Sequence, residues 1–150
     1  MQWAVSDLAF AGFNKKYLSG LPLSYNIEFF YEFGTDHYWD KVLLPLAQNN
    51  KEKRTFSLHG PCVAVNLADS SDEYYLKAYA ATFAYAQKIK AEFVVVHTNE
   101  GYHGEAKAVR ELVYQRLGEV ISLAQSYSVQ AVIENVGLRP CGSLLFDFEE

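Results

Sequence analysis

The chain has 150 residues, half of them hydrophobic and 21% charged, with a formal net charge of −5, the make-up of one globular domain (1–150) able to bury a core. The acidic balance argues against a nucleic-acid partner, because a phosphate backbone calls for clustered Lys and Arg and the densest cluster here is "KEKR" at 51–54. No apolar run approaches the roughly 20 residues of a membrane span, and "MQWAVSDLAF" has no basic region ahead of a long apolar stretch, so a cytoplasmic location with no membrane partner is expected.

In chain order, five short runs rich in β-branched and aromatic residues read as strands: "WAVSDLAF" (3–10), "NIEFFYEF" (26–33), "RTFSLH" (54–59), "EFVVVH" (92–97) and "VQAVIE" (129–134). The first connection, "AGFNKKYLSGLPLSY", is irregular and has room for a short helix. After "TDHYWD" a helix is expected with Trp39, Val42, Leu43 and Leu46 inward and Pro45 able to bend it. From about Asp72 to Ile89, Tyr75, Leu76, Tyr79, Phe83, Ala86 and Ile89 form one apolar stripe, with Ser70 and Glu73 spaced as a capping box. From about Glu105 to Tyr127 a second stripe joins Val109, Leu112, Val113, Leu117, Val120, Ile121 and Ala124. Strands alternating with amphipathic helices give an α/β fold with a parallel sheet and right-handed crossovers. The fourth and fifth strands are almost continuously apolar, as expected of strands covered on both sides. Neither GxGxxG nor a GxxxxGKS/T loop is present, so nothing supports nucleotide binding. Cys62 and Cys141 lie in no CxxC or finger spacing and read as reduced thiols without a special role.

Three successive strands stop on a metal-ligand residue followed by turn residues: "TFSLHGP" at His59, "FVVVHTNEG" at His97 and "VQAVIENVG" at Glu134. The carboxyl ends of parallel strands share one face, where ligands and catalytic groups gather. A single histidine at a strand end is usually a structural residue. Three consecutive strand ends together point to a site, and two imidazoles with a carboxylate suit zinc, manganese, cobalt or iron better than calcium. His103 in "EGYHGE" and His37 in "TDHYWD" are loop histidines and are read as solvated. Glu28 and Glu32 share one side of the second strand by alternation; Glu32 reads as a solvated strand end. Trp3, Phe29, Phe30, Tyr31 and Phe56 could wall a sugar, although core packing accounts for most of them.

These residues resemble the xylose isomerase-like (βα)8 barrels, a superfamily of sugar and sugar-phosphate isomerases and epimerases that includes the family 2 apurinic endonucleases. "IEFFYEFG", "SLHGP", "VVVHTNEG" and "VIENVG" are similar to that family's second to fifth strands. The resemblance implies a partial TIM barrel of about five parallel strands with covering helices. It makes Glu28 a substrate-side carboxylate and Glu134 both a metal ligand and one of two acid/base carboxylates. It matches His59 and His97 to imidazole ligands of the multi-zinc endonucleases. The implied cofactor is a divalent metal (Zn, Mn or Co), and the implied ligand is a sugar or sugar phosphate. The implied reaction is isomerisation or epimerisation by proton transfer next to a metal-bound carbonyl.

A complete barrel takes eight strands and typically ~250 residues, whereas five are expected here. The family's later ligands, from its sixth to eighth strands, and its second acid/base carboxylate have no counterpart in this sequence. Association is therefore expected, as a homo-oligomer or with a complementary barrel portion, because an open sheet exposes strand edges. Little isomerase activity is expected of the chain alone. The alternatives are a phosphodiester hydrolase like the family 2 endonucleases and a non-catalytic half-barrel interaction module.

Overall fold

The computed structural model describes residues 3–7, 18, 20–32, 38–50, 52–134 and 145–146. Five parallel strands form one sheet in the order β1-β2-β3-β4-β5: β1 Ala4–Ser6, β2 Asn26–Phe30, β3 Phe56–His59, β4 Val94–His97 and β5 Ala131–Glu134. Sequential order is the winding of a barrel wall, since a doubly wound sheet reverses its strand order partway. The partial (β/α)-barrel expected from the sequence is thus the fold observed. The strands are shorter than the apolar runs that announced them. Residues 8–10, Phe33, His37 and Cys141 lie outside the described residues.

Alternation divides each strand between two environments. Ile27, Phe29, Leu58, Val94 and Val96 are fully buried in the core beneath the helices. Phe29 stacks on Phe56 with ring centroids 5.6 Å apart, so these two rings are core residues and form no sugar wall. The register pairs Ser6 with Glu28, Glu28 with Ser57, Phe30 with His59 and His97 with Glu134. Polar side chains therefore line the opposite face.

A π-helical turn, Trp39–Leu43, runs into helix α1, Leu44–Asn50. Pro45 has no N–H to close an ordinary helical bond, and the turn before it is wound wide, with Leu44 N–H donating to Trp39 O. Trp39, Leu43 and Ala47 are buried, while Val42 and Leu46 pack at the margin.

Helix α2 spans Tyr75–Ile89 and buries Tyr75, Ala78, Tyr79, Thr82, Phe83, Tyr85, Ala86 and Ile89. Leu76, expected in the stripe, is exposed. The expected Ser70 cap is not the one found: Asp72 Oδ1 accepts from the N–H groups of Tyr74 (2.8 Å) and Tyr75 (3.1 Å), standing close enough to meet the orphan donors of the first turn.

Helix α3 spans Ala106–Ser126, with the Glu105 side chain capping Ala108 N–H. Ile121 turns out to be exposed and Leu112 half-buried, and Arg116 takes a buried place in the stripe. Its guanidinium donates to the carbonyls of Leu67, Asp69, Ser70 and Asp72 and lies 4.6 Å over the Tyr75 ring. It ties the long β3-to-α2 connection to α3.

β4 is buried as expected, but β5 is not: Val132 and Ile133 are 38% and 40% exposed. Among the described residues β5 has β4 on one side and no strand on the other, so its apolar surface is only half covered. No helix among the described residues is long and apolar enough to cross a membrane.

Candidate metal centre

His59, His97 and Glu134 end three adjacent strands, and the register sets their tips on one spot. His59 Nε2 and His97 Nε2 are 2.9 Å apart, and Glu134 Oε2 lies 3.1 Å from the latter and 3.6 Å from the former. The imidazoles are largely buried, while the Glu134 side chain is 46% exposed.

The partners of the other ring nitrogens fix the protons. His59 Nδ1 faces the Gly60 carbonyl at 2.9 Å and His97 Nδ1 the Glu100 carboxylate at 2.7 Å. Both partners accept, so each Nδ1 carries a hydrogen and Nε2 is the nitrogen each ring turns to the site. Burial holds the His59 pKa below its usual value, opposed by the Gly60 carbonyl and by Glu134. Two such nitrogens 2.9 Å apart beside a carboxylate repel unless a proton or a cation lies among them.

The spacing suits a cation. Nitrogen and oxygen ligands at 2.0–2.1 Å stand about 2.9 Å apart at a right angle and about 3.3 Å apart in a tetrahedron, and the three observed separations, 2.9, 3.1 and 3.6 Å, lie close to those values. Second partners on both Nδ1 atoms are the usual orienting bonds of metal-binding histidine.

Gly60 keeps the two rings together. Its N–H donates to Val95 O at 2.9 Å, and a Cβ there would come within 2.6 Å of that same carbonyl. Phe30, one of the aromatic candidates, stacks on the His59 ring at 4.0 Å. Tyr31 packs against Trp39 and Tyr85, and Trp3 is 65% exposed.

Glu28 points to the same face. Burial, then Glu134 and Asp7, raise its pKa above the usual carboxylate value, partly offset by His97. Asp7 Oδ1 accepts from Phe30 N–H at 2.8 Å, fastening β1 to β2. Glu32 is not a solvated end: its carboxylate accepts the backbone N–H groups of Cys62 (3.0 Å), Val63 (2.8 Å) and Ala64. His103 sits apart with Asp69 beside a depression of about 320 Å³.

Sequence reading missed Cys62 and Glu100. The ligand atoms of His59, Cys62 and His97 all lie within 4.8 Å of one another, and burial with the nearby Glu100 and Glu32 pushes the Cys62 thiol up to about 12. The signal was present as spacing, "HGPC" and "HTNE", each with a second polar group three residues past the histidine.

The structure thus defines a class of fold, a parallel barrel wall with two imidazoles and a carboxylate at its carboxyl end, the face where ligands of such barrels gather. Comparison narrows the fold. The chain is similar to a D-tagatose 3-epimerase-like protein at 18% identity and TM-score 0.72, over 91% of this chain and 53% of that one. It is also similar to the D-psicose 3-epimerase of Clostridium cellulolyticum H10, determined with D-tagatose, at 18% identity and TM-score 0.68 over 91% and 53%. A third similar structure is the TTHB071 protein of Thermus thermophilus, soaked with zinc chloride, at 17% identity and TM-score 0.62 over 91% and 55%. The chain shares the fold of these structures and spans about half their length. No family model and no curated protein matches the sequence.

Proposed function

We propose that the chain carries the metal-binding part of a sugar isomerase or epimerase site, with His59, His97 and Glu134 holding a divalent cation, zinc, manganese or cobalt. The observation that carries this reading is the convergence of two Nε2 atoms and a carboxylate oxygen within 2.9 to 3.6 Å at three adjacent strand ends. Likeness in fold to sugar epimerases supports the substrate class, a sugar or sugar phosphate.

When bound, the cation would polarise a sugar carbonyl and acidify the neighbouring C–H. Glu134, half open to water, has the exposure and the charge to take up that proton. Glu28 keeps its proton to higher pH than an ordinary carboxylate and serves as a donor to a sugar oxygen. Phe30 and the imidazole edges close the floor. Because the chain spans about half of the similar structures, catalysis is assigned to this site together with a complementary barrel portion, from further sequence or another chain. Association would also cover the exposed side of β5.

The test is elemental analysis of protein purified without chelator, with His97→Ala beside it. About one equivalent of metal in the parent, lost in the variant, is expected; a parent free of metal even after dialysis against zinc overturns the reading.

A second reading, hydrolysis of a phosphodiester, is favoured by the two-imidazole donor set, which occurs in zinc hydrolases. It is opposed by the net charge of −5. Salt-sensitive retention of abasic DNA would decide for it.

A further inference from the structure

The segment after β3 is held more firmly than a connecting loop requires. Gly60 N–H bonds to Val95 O at 2.9 Å, the Tyr79 hydroxyl reaches Pro61 O at 3.4 Å, and the Glu32 carboxylate gathers the N–H groups of Cys62, Val63 and Ala64. These anchors hold in place a cysteine that is only 6% exposed. Cys62 is nevertheless absent from the apolar core cluster. Its neighbours are Glu32, Glu100 and the two imidazoles. A buried cysteine ordinarily behaves as a small hydrophobe, and this one is surrounded by metal-binding groups.

We infer that Cys62 is a fourth ligand of the centre, so that the cation is held by two imidazoles, one carboxylate and one thiolate and the site selects zinc over manganese and magnesium. This rests on the proposed metal centre and deepens it. Nitrogen and sulfur ligands of tetrahedral zinc stand about 3.5 Å apart, so the sulfur, within 4.8 Å of a ring nitrogen of each histidine, has on the order of 1 Å to close. On binding, the S–H bond is replaced by a sulfur–metal bond, and the proton passes to water by way of the Glu100 carboxylate, which is 47% exposed. A thiolate strongly favours zinc or cobalt over the harder ions. A site with four protein ligands is closed, so a sugar oxygen reaches the cation only by displacing one of them or by raising the coordination number.

Cobalt(II) titrated into the full chain reads this out, since a thiolate ligand adds a sulfur-to-cobalt charge-transfer band in the near ultraviolet. The band is expected in the parent and in Cys141→Ser and absent in Cys62→Ser, with zinc affinity in Cys62→Ser weakened on the order of 100-fold and manganese affinity unchanged. Cobalt bound without the band, or a band that survives in Cys62→Ser, overturns the inference and leaves the three-donor centre standing. No cobalt bound by the parent overturns both. Alkylation of the parent by iodoacetamide, mapped to Cys62 by peptide mass, needs no variant. Zinc is expected to slow it at least tenfold and a chelator to restore it, and equal rates with and without zinc refute the thiolate ligand.

Discussion

Along β2, Ile27 and Phe29 go to a dry layer under the helices while Glu28 and Phe30 go to the face that carries His59, His97 and Glu134. The same division runs through β3 and β4, where Leu58, Val94 and Val96 are fully buried on one side and the two imidazoles meet on the other. One face is apolar and close-packed. The other is polar, and its two imidazoles face each other through Nε2 atoms 2.9 Å apart beside a carboxylate. Stability and chemistry are thus assigned to alternate residues of the same strands, which lets the site carry electrostatic conflict that a core could not tolerate.

Substitutions on the two faces should therefore behave oppositely. The largest effect is expected from Phe29→Ala, which removes a fully buried ring; a loss of about 3–5 kcal/mol in urea unfolding is anticipated, and a loss below about 1 kcal/mol would mean that the outer layer is not the stabilising one. Arg116→Met comes next. It strips the hydrogen bonds from four carbonyls in the β3-to-α2 connection, and should cost about 1–3 kcal/mol and speed amide exchange over residues 67–72. A variant with unchanged exchange there would show that α3 does not hold that segment.

Glu105→Ala tests the cap of α3 and should lower the melting temperature modestly at neutral pH. Backbone N–H groups at the helix start hold the Glu105 carboxyl below its usual 4.5. Its contribution is therefore present above that pH and lost as the pH falls through the lower, folded value, so parent and variant should converge in acid. A difference that persists there would exclude the charged cap as its source. His97→Ala should change least: in metal-free protein it removes one of two Nε2 atoms crowded at 2.9 Å, and unfolding should show no loss, or a slight gain, even though metal binding is abolished. A large loss would make His97 a packing residue.

Much of this division is legible in the sequence. Period-2 alternation and turn residues locate the strands, and parallel winding alone brings His59, His97 and Glu134 to one end. What stays hidden depends on partners distant in the chain. Nothing in "VYQRLGE" signals that Arg116 is buried, because the carbonyls that bury it lie 44 to 49 residues earlier. Glu32 reads as a strand end because the N–H groups it holds are 30 to 32 residues later. The cap expected from Ser70 is made by Asp72 instead, a choice set by the turn geometry. The stripe on α3 places Ile121 inward by period, yet it is exposed.

Gly60 has an implication for how such a centre is tuned. Any side chain there would meet a backbone carbonyl that cannot swing aside, and would act as a wedge between β3 and β4. The gap between the two imidazoles is accordingly calibrated by the absence of a side-chain atom. Substituting the ligands changes what is held, but enlarging residue 60 would change the bite itself, prising open a jaw whose teeth are all still in place.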